Sequence, residues 1–147
     1  MGRWGYYPFD NDTGADFSAD IDAAPESSRI EMLQDALSSV AQSGNAHVDG
    51  GRAEVAIAAA AIVARDLIGG EEFQSPVWGP ECHIPQIPED VILIAAEAID
   101  RLLEGDNDVK DDWIAELSGA ADWFAMMQRL HRVLAGDDVA TSEERLW

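Results

Sequence analysis

Ten consecutive residues, Val55 to Ala64, carry no polar side chain, and six of them are alanine. Glu54 and Arg65 close the run, which makes it about half the ~20 residues that a membrane-spanning helix needs. It reads as a core helix from Gly50 to Ile68, capped by Asp49, although Gly50 and Gly51 blur where it starts. Val55, Ile57, Ile62, Val63, Leu67 and the alanines leave almost no polar face before Arg65. A helix that is apolar all round must be covered on every side, so it belongs in the middle.

The rest of the chain supplies the cover. After Phe9, apolar Phe17 and Ile21 lie four apart, which predicts a short helix capped by Asp10 or Asp12. Pro25 and Glu26 suit the first turn of a second helix. Its buried face is Ile30, Leu33, Leu37, Val40 and Ala41, and it ends near Gly44. A fourth helix begins at Pro88 or Glu89, with Ile92, Ala95, Ala96, Ile99, Leu102 and Leu103 as its stripe and Gly105 as its stop. Trp113, Leu117, Ala120, Phe124, Met127, Leu130 and Leu134 keep helical spacing to Gly136, and Gly119 is placed to divide that run in two.

Between the third and fourth helices, residues 69–88 hold Pro76, Pro80, Pro85 and Pro88, too many for a regular element. Phe73, Val77, Trp78, Ile84 and Ile87 in the same stretch would be costly to leave in water, so this loop is expected to lie across the helices. The tail, 137–147, offers a weak capping box, Thr141 with Glu144, and is expected to fray or to dock through Trp147. With no strand-like alternation and no internal repeat, residues 1–147 read as one compact all-α domain of five or six helices around a central Ala-rich apolar helix.

Twenty-nine acidic residues face nine basic ones, of which only Lys110 is a lysine, for a net charge of -20. Such a field repels phosphate and anionic lipid, which argues against nucleic-acid and membrane partners and favours a basic protein or a cation. Solvation in a salt-rich cytoplasm is the bland alternative. Cys82 is the lone cysteine, so no disulfide forms within the chain and no cysteine-rich zinc site is possible. The first residues show no apolar signal region, and Tyr6 stands where a myristoylation motif needs Ser or Thr. A reducing, cytoplasmic setting is expected.

Catalytic motifs are missing. His47, His83 and His131 form no His-Glu-x-x-His or Glu-x-x-His pattern, no second residue is evidently placed to orient a Cys82–His83 nucleophile, and there is no Gly-x-Ser-x-Gly or phosphate-binding loop. An enzyme could work only through carboxylates such as Glu71, Glu72, Glu81 or Glu89. Asp10, Asp12 and Asp16, with Asn11, offer oxygen ligands for a divalent cation. They fail the calcium-loop template, because Ala15 replaces the glycine at its sixth position and Ile21 the glutamate at its twelfth. The structural reading is stronger: an Asp cap, favourable charge from Asp16, and Trp4, Phe9 and Phe17 anchored in the core.

The opening "WGYYPFDNDTGADF" resembles the signature of a bacterial family, domain of unknown function 4259, through Trp4, Gly5, Phe9, Asp10, Asn11, Asp12, Ala15, Asp16 and Phe17. "GRAEVAIAAAAIVA" and "DDWIAELSGAADWFAMMQRL" are similar to that family's central and C-terminal helices. The resemblance implies an all-helical fold and supplies no activity. What remains is recognition. Glu104, Asp106, Asp108, Asp111 and Asp112 crowd a helix junction expected to be exposed, and Glu71, Glu72 and Glu81 surround Trp78 as an acidic rim around an aromatic anchor. The expected function is therefore an acidic, non-catalytic binding protein, without cofactor or metal, that sequesters a basic protein as an immunity protein does a toxin. The alternatives are a divalent-cation-binding protein or cation-dependent enzyme built on the N-terminal Asp cluster, and a salt-adapted accessory domain.

Overall fold

Alanine governs how the helices meet. In a computed structural model, which describes residues 3–116 and 118–136, helix α3 (Gly50–Ala64) buries every residue from Ala56 to Ala64. Small side chains let neighbouring backbones come close, and α3 is packed by α1 (Asp12–Ala23), α2 (Glu26–Ala41), α4 (Glu89–Glu104), α5 (Asp108–Glu116) and α6 (Ala120–Ala135). The cover is continuous because α2 also packs on α4, and α4 on α6. Among the described residues there is no strand, only two isolated bridges, Arg3 with Asn11 and Val48 with Asn107. The all-helical expectation holds. No described helix is long and apolar enough to cross a membrane.

Details differ from expectation where tertiary contacts intervene. Helix α3 stops at Ala64 instead of Ile68, because Leu67 N–H bonds back to Ala64 O (2.9 Å) and Gly70 N–H to Leu67 O (2.9 Å), three residues behind rather than four. Asp49 is its cap as expected, accepting from Arg52 N–H at 3.2 Å. The α4 stripe is rotated slightly: Val91 and Ala98 join its buried face, while Ile92 and Leu103 are only partly covered. Gly119 does divide the last run. Its φ of +83° is a left-handed value that favours glycine, and a Cβ there would lie 3.0 Å from the Trp113 ring. Leu117 and the tail readings at Thr141, Glu144 and Trp147 lie outside the described residues.

The proline-rich loop is tied down. It forms one short 3-10 turn (Glu71–Phe73), which its prolines were expected to forbid but which lies ahead of all four. Phe73 is buried and Ile84 and Ile87 are partly covered, as expected, but Val77 (74% exposed) and Trp78 (48%) are not. Polar tethers from α1, α2 and α6, and from Arg65 just past α3, fix the path. Arg29 donates to His83 O (2.8 Å), Arg65 to Pro80 O (2.8 Å), and Arg129 to Glu72 Oε1 (2.9 Å). Asp22 accepts from the amides of Glu81 (3.0 Å) and Cys82 (2.9 Å). Burial pushes the Asp22 carboxyl up, but its hydrogen bonds from Cys82 and Glu81 outweigh that and hold it below the usual range. Two further arginines act as struts at the other end: Arg52 on Ser39 O and Arg101 on Gly44 O and Ala46 O.

Candidate functional site

The N-terminal arm is organised by Asn11. It caps α1, its Oδ1 accepting from Gly14 N–H at 2.6 Å. Neither Asp10 nor Asp12 is the cap: Asp10 turns back to accept from Tyr7 N–H (3.3 Å), and Asp12 is already the first helical residue. The reason is burial. Asn11 is only 5% exposed, and its Nδ2 donates both to Pro8 O (3.2 Å) and to Glu54 Oε2 (3.0 Å). An aspartate could accept but not donate, and would set a second carboxylate against Glu54. Gly14 is required for the same closeness, since a Cβ there would strike Pro8 O and press on Asn11 Oδ1.

Among the described residues Glu54 is therefore the one acidic side chain drawn into the core, at the edge of the apolar run and 8% exposed. Arg3 donates to its Oε1 at 2.7 Å, across 51 positions of sequence. The same guanidinium lies 5.4 Å over the Trp113 ring and 3.9 Å from Asp112 Oδ2. Burial pushes the Glu54 carboxyl above its ordinary range; the Arg3 hydrogen bond and charge pull it back only in part. With both oxygens engaged, Glu54 is a held anion rather than an available base.

Above this pair opens a cleft of about 570 Å³ between the arm, α1, α3 and α5. Among the described residues, Asp12, Glu54, Asp112 and Glu116 line it against one cation, Arg3. Such a recess, with carboxylates on several walls, is suited to a guanidinium or ammonium group.

A second turn repeats the construction. Asn107, fully buried, accepts from Lys110 N–H (2.8 Å) at the start of α5 and donates to Leu102 O (2.8 Å) and Gly105 O (3.1 Å). The bridge to Val48 is closed by Val48 N–H to Asp106 O (3.1 Å) and Asp108 N–H to Val48 O (3.0 Å). The acidic junction is thus not exposed throughout, since Asn107 and Val109 are core residues. Asp108 faces outward. Its Oδ2 accepts from Gly50 N–H (3.0 Å), and its Oδ1 meets His47 Nε2 at 2.6 Å. That contact, with the nearby charges of Asp108, Asp111 and Asp106, holds the imidazole above its ordinary pKa, and the His47 contact, then the Gly50 amide, holds the Asp108 carboxyl below its own.

Of the residues expected to meet a partner, only Asp112 lines the cleft. Glu72 is occupied, bonded to Arg129 and to Tyr7 Oη (2.9 Å). Glu71 and Glu81 are exposed on the loop, as are Asp106 and Asp111 on the second turn. Trp78 packs against Trp4, ring centroids 5.1 Å apart. Trp4 itself is 48% exposed, so it is not the core anchor expected; Phe9 is buried and Phe17 partly so. Asp10, Asp12 and Asp16 do not converge: among the described residues, the metal-type side chains that do are His47, Asp108 and Asp111. Next to Cys82, burial followed by the Asp22 contact pushes the thiol up, and His83 lies 3.7 Å from Glu26, which leaves no activated pair.

The residues missed from sequence were Arg3, Glu54, Asn107 and His47. One signal was available. Asp-Asn-Asp occurs twice, at 10–12 and 106–108, each time running into the first residue of a helix.

Residues 2–126 match the family model described as a domain of unknown function (DUF4259), and the chain belongs to that family. No curated protein and no solved structure matches the chain.

Proposed function

We propose that this protein binds a basic protein and blocks it, in the manner of an immunity protein against a toxin, with no chemistry of its own and in a reducing compartment such as the cytoplasm. The observation that carries this reading is the cleft, where four carboxylates face one guanidinium in a chain of net charge -20. The overall field steers a cationic partner, and the cleft receives one of its Lys or Arg side chains. Trp4, next to Arg3 on the arm, pairs with Trp78 of the proline-rich loop, and this half-exposed pair offers a partner an aromatic contact in addition to the acidic one.

The test is a double charge reversal on exposed cleft residues, Asp112→Lys with Glu116→Lys. Affinity purification from the source cell is expected to recover a basic protein with the wild type, to lose it with the variant and to lose it as salt rises; the purified wild type should then inhibit that protein. Equal recovery by both forms, or no basic partner together with unchanged fitness of a deletion strain beside rival strains, would overturn the reading. A toxin gene immediately beside this one would support it.

A further inference from the structure

We infer that His47, Asp108 and Asp111 form a binding site for a divalent metal ion of the zinc class, joining the turn before α3 to the first turn of α5. One ligand atom from each of the three side chains, an imidazole nitrogen and two carboxylate oxygens, lies within 4.8 Å of the others. Tetrahedral ligands at ~2.0–2.1 Å from an ion stand roughly 3.3 Å apart. His47 Nε2 and Asp108 Oδ1, now at 2.6 Å, need to open slightly, and Asp111 needs to close in. All three side chains are exposed enough to make that adjustment.

The donor chemistry selects the ion. Calcium and magnesium take oxygen ligands, calcium six to eight of them, whereas imidazole with carboxylates suits zinc and its first-row neighbours. Three protein ligands leave a fourth position for water or for a partner's side chain. The local charge points the same way, because Asp106, Asp108 and Asp111 are three carboxylates within six residues of chain, two of them converging on His47. A dication offsets that surplus of negative charge. The frame is already built: the Val48–Asn107 bridge fixes the two segments, and Gly50 N–H holds Asp108 Oδ2 so that Oδ1 faces His47. Among the described residues Asp111 has no ion-pair partner to surrender.

None of the three ligands lines the acidic cleft, although Gly50, which holds Asp108, does, so the metal site is tested separately from it. The experiment is titration of the whole chain with zinc chloride by calorimetry, and with cobalt(II) by its visible absorption, against magnesium and calcium chloride. The expected result is one zinc per chain, a rise in Tm, a cobalt spectrum of mixed nitrogen and oxygen ligation, and no competition from magnesium or calcium. His47→Ala and Asp111→Asn should each weaken zinc at least tenfold, while Asp12→Asn leaves it unchanged. Asp108 is spared because it also holds Gly50. In the wild type, zinc should shift the His47 imidazole NMR signals and not those of His83. Absence of zinc heat and of a cobalt spectrum would overturn the site. So would zinc binding that His47→Ala and Asp111→Asn leave unaltered, since that would assign the ion to the acidic surface at large.

Discussion

Asn11 and Asn107 each sit buried at a helix start, each accepts a backbone N–H three residues ahead, and each donates to a carbonyl just behind. Around these two amides the charges are turned in opposite directions. Asn11 gives its second hydrogen to the buried carboxylate of Glu54 and so helps hold an anion inside the fold. Asn107 spends both hydrogens on backbone carbonyls, and its neighbour Asp108 turns outward to His47. The same tripeptide thus builds a recess at one end of α3 and a projecting cluster beside the other turn. The lesson is that the cap and the charge beside it are separable, and that the second is set by what the rest of the fold brings near.

The comparison breaks most sharply at Asn11. Asn11→Ala removes the cap of α1 and leaves Glu54 with one partner fewer, a combined loss of about 3 kcal/mol in urea unfolding. Asn107→Ala, which disturbs only backbone partners, should cost about 2 kcal/mol. Equal losses for the two would mean that the Asn11–Glu54 hydrogen bond adds nothing. Glu54→Gln sharpens the contrast through pH. Burial raises the Glu54 carboxyl in the native state, so the native form holds its proton more tightly than the unfolded chain. Wild-type stability relative to the variant should be greatest below the ordinary value of 4.5 and fall as pH rises from there through the raised native value; a flat difference across that range would mean that Arg3 and Asn11 fully offset the burial. The smallest effect belongs to Asp12→Ala. As a first-turn charge rather than a cap, Asp12 should contribute only about 0.3–1 kcal/mol, screened by salt, and a larger, salt-independent loss would reassign the cap.

How much of this could be read beforehand follows the range of the interactions. The apolar run of α3, the Asp49 cap and the division at Gly119 are local, set by a few neighbouring residues, and all three were legible. Whether Asp10, Asn11 or Asp12 caps α1 was not, because all three accept equally well and only the burial of Glu54 against Asn11 favours a group that also donates. Trp4 misled for a similar reason. An apolar residue near a helix start reads as an anchor, yet its place against Trp78 depends on a loop more than seventy residues away. The cleft was the least legible feature, since the Arg3–Glu54 contact spans 51 positions and no periodicity marks it.

The tethers that hold the loop and the turns have a consequence for how the molecule looks from outside. Arg3, Arg29, Arg52, Arg65, Arg101 and Arg129 all donate to carbonyls or carboxylates of the same chain. Several of them use more than one guanidinium hydrogen, a geometry that lysine cannot reproduce. Most of the few positive charges are thus committed as internal struts. An approaching molecule meets a surface more one-sidedly negative than the sequence count alone conveys, and amine-directed reagents find Lys110 as the only lysine in the chain.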